Sequence, residues 1–149
     1  MIRILGTPYE ISLRILLMLN EASEQSFTLD KIVAFDFIAV YASDFGLSKT
    51  NLHGYSSYRF GEFTGRRELG RNGIKQLVLN ATAIALCTEN GFEYAISQSG
   101  ENFACKMSCE YANAYRELIS KVLLELGDKS EKSLYEIISQ RTIKSLHKG

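Results

Sequence analysis

Gly65-Arg66-Arg67-Glu68-Leu69-Gly70-Arg71-Asn72-Gly73-Ile74-Lys75-Gln76-Leu77-Val78-Leu79, inside the longer stretch from Arg59 to Phe103, decides the fold of this chain. Leu69, Gly73, Ile74 and Leu77 recur at helical spacing. Two short runs follow, Ile84-Ala85-Leu86-Cys87-Thr88 and Phe92-Glu93-Tyr94-Ala95-Ile96, on either side of Glu89-Asn90-Gly91. Asn-Gly is a strong hairpin signal because both residues accept positive φ. Ser97-x-x-Gly100-x-x-Phe103 then opens another helix. A helix, a β-hairpin and a helix, set after two earlier helices, predict a mainly α fold with a small β-hairpin. This is the layout of a winged helix-turn-helix with appended C-terminal helices, a binding platform that supplies no chemistry by itself.

Upstream, Thr7-Pro8-Tyr9-Glu10 combines an N-cap threonine, a proline at the first helical position and a glutamate that completes a capping box. Ile11, Ile15, Leu16 and Leu19 carry that helix to about Ala22, with Leu13 and Leu17 widening its stripe. Thr28 caps a second helix, and Asp30 suits its first turn. From Leu29 through Val40 this helix is apolar nearly all round, which predicts a central position. The segment from Ser43 to Ser57, rich in Gly, Ser, Asn and Asp, is long for a simple connection; loops of that length either close a core or carry function.

Downstream, Asn102 to Leu126 is expected as one helix with Tyr111, Tyr115, Leu118, Val122 and Leu126 on one stripe, and Gly127 as its stop. A last helix restarts near Asp128–Glu131 and runs to about Leu146. The stripe exceeds what one small core needs to bury, so these five residues are expected to mediate homodimerisation. Residues 1–149 therefore form a single domain, with a winged-helix core over 1–103 and a helical extension over 104–149.

Composition sets the class. At 149 residues the chain is long enough for a real core. No run approaches the ~18 apolar residues that would span a membrane, and Met1 to Gly6 is too short for a signal-peptide core. Three cysteines, with no Cys-x-x-Cys pair, fit a reducing cytoplasm. Cys87, Cys105 and Cys109 are expected as small core hydrophobes. Lys plus Arg and Asp plus Glu both number 17. A dedicated nucleic-acid binder carries a net basic footprint, so this balance argues against strong non-specific DNA affinity.

Chemistry finds little support. His53 and His147 are far apart, and neither stands in a metal-ligand spacing with cysteine or a second histidine. A small hydrolase built on His53 would need a nucleophile and an orienting acid that the sequence does not mark. The third-helix glycines are no phosphate loop, since no strand precedes them and no Gly-Lys-Ser/Thr follows. No catalytic residue, cofactor or metal site is expected. What remains is a basic edge: Arg67, Arg71 and Lys75 align along the third helix, with Arg59 and Arg66 extending it. Such an edge suits phosphates or an acidic protein surface. Glu89 and Glu93, flanking the hairpin tip, favour protein.

The segments Thr7 to Leu16, Asp36 to Tyr41, Asn51 to Gly54, Tyr58 to Phe63 with Arg66 to Leu69, and Tyr111 to Arg116 together resemble the middle component of bacterial ABC-three-component systems. The likeness covers most of the chain, and its motifs are structural. The resemblance implies a small winged-helix adaptor encoded with an ABC-type ATPase and a third, variable component, in systems that act against phage or other invasive DNA. The alternative on the residues is a dimeric winged-helix DNA-binding transcriptional regulator. The glycine-rich Gly70-Arg71-Asn72-Gly73 departs from a rigid, DNA-reading helix, at roughly 1 kcal/mol per glycine.

Overall fold

The computed structural model describes residues 8–52 and 63–148. Elements run α1 (Pro8–Glu21), β1 (Phe27–Thr28), α2 (Leu29–Val40), a 3-10 turn (Ala42–Phe45), α3 (Phe63–Leu79), β2 (Ala83–Thr88), β3 (Gly91–Ile96), α4 (Gln98–Cys105), α5 (Glu110–Leu126) and α6 (Glu131–Lys148). The fold is mainly helical with a small antiparallel sheet in the order β1-β3-β2. The element order is compatible with a winged-helix-like layout. Thr7, His53 and Arg59 lie outside the described residues, as does the second part of the long segment after Ser43.

The central helix is α2, buried from Ile32 to Val40, and α1, α3, α5 and α6 pack around it. Thr28 caps it as expected, its hydroxyl accepting from the Lys31 N–H at 3.4 Å. Phe27 and Thr28 also pair with Tyr94 and Glu93. That two-residue strand is too short to show a period of two, so the sequence reads only as a polar turn running into a cap. Phe37 stacks edge-on or tilted against Tyr41, Phe45 and Phe63. The hydrophobic core is one cluster that reaches from Ile11 in α1 to Ile138 in α6.

Glycines let α3 approach its neighbours. A Cβ on Gly73 would stand 3.2 Å from both Ile11 Cγ2 and the Ser12 backbone N of α1. One on Gly70 would stand 2.7 Å from Val33 Cγ2 of α2. The intrinsic helix cost of these glycines is thus offset by close packing on both sides.

A buried ionic network ties four helices together. Asp36, in the middle of the apolar α2, accepts from Arg14 Nε at 2.8 Å and Arg14 Nη2 at 3.0 Å, a bidentate pair. Arg66 Nη1 donates to the same carboxylate at 3.2 Å and the Tyr115 hydroxyl at 2.8 Å. Arg14 Nη1 also donates to Glu10, which takes the Tyr111 hydroxyl at 2.6 Å. Arg14 is completely buried, and Asp36, Glu10 and Arg66 nearly so. Two cations and two carboxylates leave the cluster neutral, and its hydrogen bonds offset the desolvation of its charges. Burial alone would raise the Asp36 carboxyl; Arg14, then Arg66 and Tyr115, override it and hold Asp36 below the usual carboxylate range. Burial and the neighbouring Asp36 push the Tyr115 hydroxyl well above its ordinary value.

Two boundaries differ from expectation. The segment after Ser97, expected from Asn102 as one helix, breaks into α4 and α5 at Lys106 to Cys109, where Cys109 is extended with ψ 163°. Arg116 Nη2 reaches back to the Ala104 carbonyl, and Asn113 Nδ2 donates to the Ser108 carbonyl at 3.2 Å. These side chains stabilise a turn that no Gly or Pro announces. In the hairpin, only Gly91 has positive φ, at 99°. Asn90 instead donates its N–H to Thr88 Oγ1 at 3.1 Å and its side-chain amide to Glu93 at 3.1 Å.

Candidate interaction surface on the third helix

The basic edge is built from residues one turn apart on α3. Arg67, Arg71 and Lys75 are all exposed, and their i, i+4 spacing places them in one row. Arg67 is anchored: its Nε donates to Asp30 at 2.8 Å, and the Tyr135 hydroxyl of α6 donates to the same oxygen at 3.0 Å. Donating to Asp30, and the charge of that carboxylate, raise the Arg67 pKa above an already high value. Arg71 lies 3.7 Å from Glu68 on its own helix. Both pairs are well exposed, so each contributes roughly 0–1 kcal/mol. Solvent-facing charge is therefore available at Arg71 and Lys75, and at Arg67 by exchange with Asp30.

Arg66 does not extend this edge. It is 7% exposed, its guanidinium is paired with Asp36, and its Cζ lies 5.6 Å from the centre of the Phe37 ring and 5.8 Å from that of Tyr41. Sequence register alone put it with its neighbour Arg67, but one residue is 100° of helix, enough to turn it into the core.

The C-terminal stripe is likewise used within the chain. Tyr115 and Val122 are fully buried. Leu118 and Leu126 pack against the same core, and Tyr111 is held by Glu10 and Arg14. The width of the stripe matches its contact with both α1 and α2. The cysteines correct the expectation in the opposite sense: Cys87, Cys105 and Cys109 are all exposed. The α4–α5 break puts Cys105 and Cys109 on separate elements, and Cys87 faces outward from a sheet edge.

The hairpin tip is acidic and held by hydrogen bonds. Glu93 accepts from Ser26 at 2.7 Å, from Thr88 at 2.8 Å and from Asn90 at 3.1 Å. Donation by Ser26, then Asn90 and Thr88, holds its carboxyl below the usual range. Beside it, with no signal in the sequence pattern, Ile84 and Leu86 on β2 and Phe92 on β3 are solvent-facing. Among the described residues no group of three or more His, Cys, Asp or Glu could hold a metal ion, and no helix is long and apolar enough to cross a membrane.

Fold and surface together define a small, mainly helical protein with a buried ionic network at its centre and an exposed row of cations on α3. Residues 4–148 match the ABC-three component (ABC-3C) system Middle Component 2 family, and the chain belongs to it. No curated protein and no solved structure matches the chain.

Proposed function

We propose that this chain is the non-enzymatic adaptor of its ABC-three-component system, docking on partner proteins through the exposed edge of α3. The partners are an ABC-type ATPase and the third component, and the setting is cytoplasmic defence against invasive DNA. The observation that carries this reading is the arrangement of charge around the edge. Arg67, Arg71 and Lys75 are interleaved with Asp30 and Glu68, and the neighbouring wing holds a hydrogen-bonded, ionised Glu93. A row of cations broken by carboxylates fits an acidic protein patch, where Arg67 and Arg71 exchange one carboxylate for another. It fits a continuous phosphate backbone poorly. Family membership supports a role as one component among several.

The helical register of the three cations also suits the alternative, a dimeric winged-helix DNA-binding transcriptional regulator, and one experiment separates the two. The wild type and Arg67→Ala/Arg71→Ala/Lys75→Ala are compared for co-purification with the ATPase and for salt-dependent DNA titration. The adaptor predicts that the ATPase is lost on substitution and that DNA binding is weak at physiological salt. Nanomolar DNA binding abolished by the triple substitution, with a log–log salt slope of roughly 0.9 per neutralised phosphate, would overturn it in favour of the regulator.

A further inference from the structure

We propose that Asp30 is an internal competitor on the docking surface assigned above to α3, an inference that rests on that reading. Its carboxylate occupies Arg67 in the free protein and is exchanged for a carboxylate of the partner, which sets how tightly the edge binds. Arg67 Nε donates to Asp30 Oδ1 at 2.8 Å, from α3 to α2. Tyr135 of α6 donates its hydroxyl to the same oxygen at 3.0 Å, and its ring lies edge-on to that of Phe63 on α3, 5.3 Å between centroids. Three helices therefore meet at one carboxylate. Arg71, by contrast, has Glu68 at 3.7 Å on its own helix.

The geometry is that of a competitor. Nε is one corner of the side-on fork through which a guanidinium gives a carboxylate two parallel bonds. Asp30 takes one bond at that corner, with the oxygen that also receives the tyrosine. A partner carboxylate, free to turn, takes Nε and the adjacent Nη together once Asp30 lets go. The way in is open: the Arg67 and Asp30 side chains are 50% and 30% exposed, and both line a shallow cleft with Lys132 and Tyr135. An ion pair this exposed is weak enough for a partner to break, unlike the buried pair that the preceding residue, Arg66, makes with Asp36.

Tyr135 lets the exchange proceed without stranding Asp30. When Arg67 turns outward, the hydroxyl still donates to the carboxylate. Burial, and after it the charge of Asp30, raise the Tyr135 pKa, so the donor keeps its proton at neutral pH. Two substitutions around one oxygen therefore act with opposite signs. Asp30→Asn removes the competing charge and loosens Arg67. Tyr135→Phe leaves Arg67 as the one side-chain donor to Asp30 among the described residues, and tightens the hold. A purely structural role would move both variants the same way.

Hexaglutamate, titrated into the full chain at low ionic strength and followed by the amide resonances of α3, tests the proposal. Asp30→Asn is expected to bind the peptide about three- to fivefold more tightly than the wild type, the upper range for an exposed pair, and Tyr135→Phe less tightly. Glu68→Gln removes an equal charge beside Arg71 and should gain less, which separates the Arg67 contact from loss of charge as such. In an Arg67→Ala background the gain from Asp30→Asn should shrink to that of Glu68→Gln or below. Circular dichroism checks each fold, and should Asp30→Asn not fold, Tyr135→Phe decides. Equal gains at Asp30 and Glu68, a gain that survives without Arg67, weaker binding by Asp30→Asn, or no binding by any variant would overturn the proposal. Co-purification of the ATPase is scored separately. An Asp30→Asn gain toward hexaglutamate with no ATPase bound keeps the competitor and removes the adaptor. ATPase held equally well by the wild type and Asp30→Asn keeps the adaptor and removes the competitor.

Discussion

Asp36 ties α2 to three other helices, because two guanidiniums and a phenol converge on its carboxylate. Asp36→Asn leaves two buried guanidiniums, Arg14 and Arg66, with Glu10 as the one remaining carboxylate of the network, and breaking a buried pair in this way costs about 3–5 kcal/mol. Thermal or urea unfolding at neutral pH reads that loss directly; a cost below about 1 kcal/mol would mean that the guanidiniums relax to water, as at an exposed pair. The pH dependence has two limbs. Asp36 titrates below its unfolded value of about 3.9, so its contribution is complete above that pH and is lost as pH falls through the folded value. Tyr115 is raised above its unfolded value of about 10, so its contribution is complete below that pH and is lost as pH rises. Melting temperature should therefore fall at both extremes, and Tyr115→Phe should make the alkaline limb shallower. An alkaline limb unchanged in Tyr115→Phe would assign it to other groups, such as Tyr111, whose hydroxyl burial also raises. None of this network was legible in the sequence beyond one sign, a lone Asp36 and a lone Arg14 inside apolar runs. Residues 22 positions apart meet only once the helices pack.

The elements themselves were far more legible, and the reason is period. α1, α2, α3 and α6 show helical spacing over enough residues to mark them, Thr28 marks a start, and the two runs around Asn90-Gly91 mark the hairpin. The break between α4 and α5 escaped because side chains make it, Arg116 and Asn113 satisfying backbone carbonyls of the turn. The third helix separates propensity from packing cleanly. Gly65, Gly70 and Gly73 cost the same in an isolated helix, but only the last two touch neighbours. A Cβ on Gly65 meets no described atom within 4 Å, so Gly65→Ala should stabilise by about 0.5–1 kcal/mol. Gly70→Ala gains the same propensity but drives a Cβ against Val33, and should destabilise by about 1–3 kcal/mol. Chemical denaturation of the two variants side by side provides the check. Equal stabilisation would show that α2 and α3 are less closely apposed than the structure has them.

At the scale of the whole molecule, the question is whether a core over 1–103 stands without the helices that follow it. Periodicity suggested a platform with an extension, because the stripe on Tyr111 to Leu126 looked surplus to one core. The packing is otherwise: Tyr115, Ile119 and Val122 of α5, with Leu134 and Ile138 of α6, belong to the same buried cluster as α1 and α2. Tyr115 and Tyr111 also complete the hydrogen bonding of Asp36 and Glu10. A chain ending at residue 103 would expose the apolar faces of α1 and α2 that α5 and α6 cover. It would also remove the tyrosine donors from two carboxylates, leaving them to the guanidiniums alone. Each large side chain removed from the core contributes about 1.5–3 kcal/mol of burial, against a total stability of about 5–15 kcal/mol for a domain. The truncated chain is therefore expected to lose cooperative unfolding and dispersed amide resonances, while the full chain unfolds in one transition. A truncated chain that melts cooperatively would restore the division into core and extension, and would free α5 and α6 to act as an arm toward the other components.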